Sequence, residues 1–60
     1  MSTMNVKEVA EFLGIQEVRV QRLARESLLV PQENDAEGNP IFASEDVQRY
    51  KQFAERLGGI

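Results

Sequence analysis

The sequence predicts a small, mainly α-helical domain in which a two-stranded hairpin separates the second and third of three helices. Apolar residues recur at helical spacing in three stretches, and a turn-rich stretch with apolar ends, residues 28–43, lies between the second stretch and the third. The chain has 60 residues and neither cysteine nor histidine, so we expect a single domain, residues 1–60, without the usual zinc ligands.

The first helix has a complete start pattern. Asn5 is expected to be its N-cap, and Glu8, three residues later, completes a capping box. Met4 occupies the position from which a hydrophobic staple packs onto Val9. Gly14 supplies the left-handed residue that ends the helix. The positions predicted to face inward are Val6, Val9, Ala10, Phe12 and Leu13.

The second helix is predicted to have a core side and an outward side. It begins after Gln16, which is a weak N-cap, and it ends at Ser27, where glycine would be more permissive. At 100° per residue, one arc contains Val20, Leu23 and Ala24, and the opposite arc contains Val18, Gln21, Arg22 and Arg25.

The hairpin and the third helix complete the predicted fold. The strands are expected at residues 28–32 and 40–43, and Pro40 should make its strand an edge or a very short one. The third helix is predicted over residues 44–57, with Ser44 as its cap and Gly58 closing it. Its predicted apolar stripe is Val47, Tyr50, Phe53, Ala54 and Leu57.

The spacing of three small or branched residues predicts a helix-turn-helix over residues 5–27. Two short helices that cross steeply need a small residue at the close approach, a left-handed residue in the turn, and a β-branched residue in the crossing. Ala10, Gly14 and Val20 are of these types in this order. A generic helical hairpin with the same packing is the alternative.

Here the chain resembles a family. The stretches VKEVAEFLGI, VQRLARE and ASEDVQRY are similar to the small winged helix-turn-helix domains of the excisionase and MerR-type group, over residues 5–57. The resemblance implies a DNA-binding module, either a transcriptional regulator or an excisionase-like mobile-element protein. The sequence has no stretch like a signal peptide or a transmembrane span, so the cytoplasm is the expected compartment. Its second helix would enter the major groove, and its wing, residues 28–43, would touch the flanking backbone. Glu17 stands where the family tends to place a basic residue early in the second helix. Asn39 and Pro40 follow the wing glycine, where in the family an arginine beside an aromatic residue often holds a phosphate.

Six residues of the second helix are expected to contact double-stranded DNA: Glu17, Val18, Arg19, Gln21, Arg22 and Arg25. Arginine binds phosphates or the O6 and N7 acceptors of guanine, so Arg22 and Arg25 are expected to make the main contacts. Gln21 suits adenine, Val18 suits a thymine methyl group, and Glu17 suits the amino group of cytosine.

Each of these assignments has a structural alternative. Arg22 can pair with Glu26 one turn later, Arg25 can complement the helix C-terminus, and Arg19 can remain solvated.

The number of phosphate contacts predicts weak binding by a single copy. With about three contacts, the slope of the logarithm of the binding constant against the logarithm of the salt concentration, the salt slope, is only roughly −3. Useful affinity would need a homodimer or several copies side by side.

The acidic hairpin tip is the feature that a DNA-binding function does not explain. The net charge is −3, yet residues 28–46 alone carry five acids and no base, which gives −5. Glu33, Asp35 and Glu37 have three interpretations: solvated turn residues, a poor match to a calcium loop, or a contact for a partner protein. The last interpretation makes the chain a protein-interaction module that uses the hairpin or the third helix. We expect no cofactor, metal, membrane or enzymatic activity.

Overall fold

Three helices and a three-stranded antiparallel sheet make up residues 2–58, the part of the chain that this computed structural model describes. The elements follow one another as β1 (Thr3–Asn5), α1 (Val6–Leu13), α2 (Glu17–Arg25), β2 (Glu33–Asn34), β3 (Pro40–Ala43) and α3 (Ser44–Arg56). The sheet order is β1-β3-β2, so the third strand along the chain lies in the middle. The three predicted helices are confirmed, and the sheet has one strand more than predicted.

Helix α1 begins and ends as its sequence predicts. The Glu8 N–H donates to the Asn5 side chain at 2.8 Å, and the Asn5 N–H donates to the Glu8 carboxylate at 2.9 Å. Gly14 has a φ of 73°, and the Gly14 N–H donates to the Ala10 carbonyl at 2.8 Å. Met4, the predicted staple, is half-buried against the core cluster that contains Val9.

Helix α2 ends in a Schellman motif built on serine. Ser27 has a φ of 60° and is the one non-glycine residue of the described chain with a positive φ. The Leu28 N–H donates to the Leu23 carbonyl at 2.9 Å, and the Ser27 N–H donates to the Ala24 carbonyl at 3.2 Å. The predicted end of α2 at Ser27 is therefore confirmed. Gln16, the expected weak cap, makes no side-chain capping hydrogen bond.

The prediction of the first hairpin strand at residues 28–32 is wrong. That strand is β2, at Glu33–Asn34, because the preceding residues complete the end of α2. The N–H groups of Leu28 and Leu29 both donate to the Leu23 carbonyl, and Leu29 is buried in the core. Pro31, which has no N–H, follows before the ladder begins.

Strand β3 has the predicted bounds, Pro40–Ala43, but it is the central strand and not an edge. Strand β1, which no sequence pattern indicated, pairs with it so that Met4 lies opposite Phe42. Pro40 is tolerated because it is the first residue of β3 and pairs only with Asn34 of β2, outside the register shared with β1.

Helix α3 departs from its predicted cap and from its predicted burial. Its N-cap is Ala43 and makes no side-chain capping bond, whereas Ser44 is the first helical residue and its hydroxyl hydrogen-bonds the Ser2 hydroxyl. Phe53 and Leu57 of the predicted stripe are 59% and 72% exposed, while the rest of the stripe is buried or half-buried. Within residues 2–58 no helix is long and apolar enough to span a membrane.

The centre of the core takes one large side chain from each helix and one from the central strand. Val9 of α1, Val20 of α2, Phe42 of β3 and Val47 of α3 have no exposed surface. They belong to a single cluster, which the other buried apolar residues of α1 and α2 extend. This packing fixes α1, α2 and α3 around the sheet and leaves the opposite face of α2 free.

Replacing Ser27 with glycine is expected to raise the free energy of unfolding by about 1 kcal/mol. Glycine adopts the left-handed conformation freely, whereas an L-residue there costs roughly 1–2 kcal/mol. Ser44→Gly is the control, and it should lower stability by about 0.5–1 kcal/mol, because it removes the hydroxyl that hydrogen-bonds Ser2 and puts a flexible residue at the first position of α3. Urea denaturation measures both variants. A Ser27→Gly protein no more stable than the unaltered chain would contradict the assigned strain.

Candidate functional site

In the α1–α2 pair, Ala10, Gly14 and Val20 have the burial and the backbone conformation that their spacing predicts. Ala10 is 5% exposed, Val20 is fully buried, and Gly14 adopts the left-handed conformation in the turn between the helices, residues 14–16. A Cβ placed on Gly14 would meet no atom within 4 Å. The turn therefore needs glycine for its backbone conformation and not for space.

All six residues predicted to contact DNA lie on the exposed surface of α2. They are Glu17, Val18, Arg19, Gln21, Arg22 and Arg25. Val18 is 66% exposed, although Val20, two residues later, is fully buried. The helical spacing places Val18, Arg22 and Arg25 along the middle of this surface, opposite the buried stripe. An apolar side chain and two guanidinium groups thus form the centre of the outward face.

The arginines of α2 are not neutralised by carboxylates of the described chain. Within residues 2–58 the one ion pair is between Arg49 and Asp46 of α3, with the Arg49 Nη1 atom 3.9 Å from the Asp46 Oδ1 atom. The alternative in which Arg22 pairs with Glu26 is therefore not realised. Arg22 and Arg25 do lie in the last turn of α2, where positive charge complements the helix dipole.

A groove of about 460 Å³ runs along the side of α2 next to the turn. It is lined by Gly14, Ile15, Gln16, Val18, Arg19 and Arg22. Both charged residues of this lining are arginines, so this side of α2 is cationic. Ile15 and Gln16 were not among the residues predicted for the site. Their position in the turn directly before α2 was the only indication that they belong to it.

The hairpin tip lies against the other side of α2. A cleft of about 290 Å³ brings Glu17 and Gln21 together with Asp35, Glu37 and Asn39 of the tip, and with residues 5–7. Its charged lining consists of three carboxylates and the Lys7 ammonium group. No sequence pattern predicted this neighbourhood, because it joins segments far apart in the chain. The outward face of α2 thus has one cationic side and one acidic side.

Asp35 has a structural role that explains part of the acidity of the tip. Its Oδ1 atom accepts hydrogen bonds from the Glu37 N–H at 2.8 Å and from the Asn39 N–H at 2.9 Å. The bond from Asn39 is the main cause that holds the pKa of Asp35 below its usual value of 3.8, and partial desolvation opposes it. No group of three possible metal-ligating side chains occurs in the described chain, so the calcium interpretation gains no support.

Comparison of the chain with family models, with curated proteins and with solved structures finds no match in any of the three. What is established is therefore the architecture itself: three helices around a small antiparallel sheet, with an exposed cationic strip on α2 beside an acidic hairpin tip.

The carboxyl group of Asp35 is expected to titrate with a pKa below 3.8. Because its pKa is lower in the folded state, the ionised carboxylate stabilises the tip above its unfolded pKa, and this stabilisation is lost as the pH falls through the folded value. A ¹³C-detected carboxyl titration measures the pKa, and amide exchange at Glu37 and Asn39 follows the loosening. Asp35→Asn should abolish this pH dependence. An Asp35 titration at or above the usual value would contradict the assigned hydrogen bonds.

Proposed function

We propose that this chain is a winged helix-turn-helix domain that binds double-stranded DNA by inserting α2 into the major groove. The observation that carries the proposal is the exposed face of Val18, Arg22 and Arg25, whose arginines have no carboxylate partner in the described chain. The buried Ala10 and Val20 and the left-handed Gly14 support a helix-turn-helix arrangement behind that face. Transcriptional control or mobile-element DNA handling is the biological role that we propose.

The chemistry of the face suits a duplex. The major groove is about 12 Å wide and admits one helix, and its base edges offer acceptors to arginine and methyl groups to apolar side chains. In this proposal Arg22 and Arg25 bind phosphates or guanine, and Val18 meets a thymine methyl group. Gln21 and Glu17 lie on the acidic side, where they would read adenine and the cytosine amino group. Arg19 would bind the backbone from the cationic side.

The charge arrangement favours an asymmetric approach to DNA. The groove with Arg19 and Arg22 attracts the phosphate backbone, whereas the cleft with Glu17, Asp35 and Glu37 repels it. We therefore propose that the duplex backbone runs along the cationic side of α2 and that the hairpin tip makes no phosphate contact. The acidic tip then limits non-specific binding, which depends on charge alone.

Arg22→Ala and Arg25→Ala are each expected to weaken duplex binding about tenfold at low salt, because each removes a charge that displaces counterions or reads a base. The salt slope should fall by about 1 for each phosphate that the variant no longer binds. Fluorescence anisotropy with random and selected duplexes at several salt concentrations measures both effects. Arg49→Ala is the matched control, since it removes one charge from a side chain that is 75% exposed on α3. Equal weakening in all three variants would refute a specific role for α2.

Glu37→Gln is expected to tighten duplex binding about two- to threefold at low salt, because it removes a negative charge beside α2 without removing the hydrogen-bonding backbone of the tip. Raising the salt concentration should erase the gain. Glu55→Gln on α3 makes the same change in net charge away from α2. A Glu37→Gln protein that binds duplex more weakly would show that the tip contacts DNA favourably.

A protein-interaction module on the same scaffold is the second candidate. The observation that favours it is the apolar surface formed by exposed residues of α3 and of the segment after α2, together with the acidic tip. The two candidates differ in the variants to which they respond. If Arg22→Ala and Arg25→Ala leave duplex binding unchanged while Glu33→Gln and Glu37→Gln abolish capture of a partner protein, the second candidate is correct.

A further inference from the structure

Exposed apolar side chains concentrate on one side of the molecule. We call this surface the α3 patch and define it by Leu28, Val30, Tyr50, Phe53 and Leu57. Six large hydrophobic residues of the described chain are exposed, and four of the six belong to the patch. A groove of about 390 Å³ between α3 and residues 28–30 runs through it. The other two, Phe12 and Val18, lie on α1 and α2.

Within residues 2–58, no helix or strand covers the α3 patch. Helix α3 has a wide apolar face, but only Val47 and Ala54 of that face are buried, and Val47 alone of the two belongs to the core cluster. Phe53 and Leu57 are therefore left at 59% and 72% exposure. Monomeric proteins seldom expose apolar patches larger than a few hundred Å², and larger ones commonly mark interfaces. A domain of about 60 residues also gains much from burying more surface.

We propose that the α3 patch is the interface of a homodimer, in which α3 packs antiparallel against α3 of a second copy. The order of charges along α3 favours a second copy in the antiparallel orientation. Asp46 lines the groove of the patch near the N-terminal end of α3, beside Arg49, with which it forms a solvent-exposed pair at 3.9 Å. Arg56 lies in the last turn of α3. An antiparallel second copy brings Asp46 of each chain to Arg56 of the other, and it also sets the helix dipoles antiparallel. A parallel copy would place like charges together.

The apolar and charged contacts require the same symmetry axis. Pairing residue 46 with residue 56 centres a two-fold axis at residue 51, since (46 + 56)/2 = 51. Pairing Tyr50 with Phe53 of the second copy centres it at 51.5, since (50 + 53)/2 = 51.5. At about 1.5 Å per residue these positions differ by less than 1 Å along the helix. One isologous interface therefore forms two Asp46–Arg56 pairs and two aromatic contacts, and it covers Phe53 and Leu57.

The dimer leaves the outward face of α2 accessible. No residue of the α3 patch lines either the cationic groove or the acidic cleft beside α2 in the described chain. Two α2 helices would then be presented by one particle, which is the arrangement that paired half-sites need. The dimer does not depend on DNA binding, because its contacts are all between protein side chains.

Sedimentation equilibrium without DNA, from about 10 μM to about 1 mM chain, tests the interface at concentrations where small interfaces associate. The unaltered chain is expected to show a monomer–dimer equilibrium. Phe53→Ser should raise its dissociation constant at least about tenfold. Val18→Ser is the control, because Val18 is 66% exposed but lies outside the patch. Circular dichroism checks that both variants fold. A monomeric chain at the highest concentration, or equal effects of the two variants, would overturn the proposal.

Charge variants test the antiparallel orientation. Asp46→Arg alone and Arg56→Asp alone should each weaken self-association about tenfold, because each turns two attractive pairs into repulsive ones. An equimolar mixture of the two variants should regain association, because in a mixed dimer each position 46 faces a position 56 of opposite charge. The double variant Asp46→Arg with Arg56→Asp should regain association as well, since every facing pair in it is again of opposite charge. If neither single variant weakens association, or the double variant does not restore it, the antiparallel arrangement is overturned. Duplex binding enters neither experiment, so a failure here is distinct from a failure of the proposed DNA-binding function.

Discussion

The burial of Phe42 at the centre of the sheet is the constraint on which the rest of the structure depends. Its side chain is fully buried in the cluster that also contains one fully buried valine from each helix. Its backbone lies in the strand that pairs with both neighbours, so one residue belongs to the core and to the middle of the sheet. In so short a chain few side chains can hold several elements together at once. This one site therefore joins α1, α2 and α3 to the central strand of the sheet.

The position of the hairpin tip is a consequence of the same packing. Strand β3 carries Phe42 inward, and β2 pairs with β3, so the turn between the two strands extends toward the start of α2. Asp35 then closes the turn with its own hydrogen bonds. The acidic residues therefore stand beside Glu17 and Gln21 because of how the sheet is anchored. The outward face of α2 therefore has two sides of opposite charge.

The features predicted correctly from the sequence are those determined by neighbouring residues. Asn5 and Glu8 specify the start of α1, Gly14 specifies its end, and Ser27 ends α2, because capping involves groups only a few positions apart. Strand β1 depends on pairing with β3, more than thirty residues from Thr3, and no local pattern encodes that pairing. The start of β2 was misplaced because Leu28 and Leu29 complete the end of α2 instead of entering the hairpin.

The candidate site shows the same division between local and distant information. Helical periodicity alone places its six residues on the outward face of α2, where the structure has them. Periodicity also suggested that Phe53 and Leu57 are buried, and this was wrong, because an apolar stripe indicates a face to be covered without indicating what covers it. The position of the acidic hairpin tip beside α2 was not predictable either, since the tip and α2 are far apart in the sequence and are brought together only by the fold.

The hydrogen bonds at the end of α2 make a stiff joint. The Leu23 carbonyl accepts hydrogen bonds from the N–H groups of both Leu28 and Leu29. The backbone between α2 and the first residues of the α3 patch is therefore tightly constrained. An insertion between Ser27 and Leu28 would pull both donors away from the same oxygen. These hydrogen bonds therefore fix the distance between the outward face of α2 and the α3 patch.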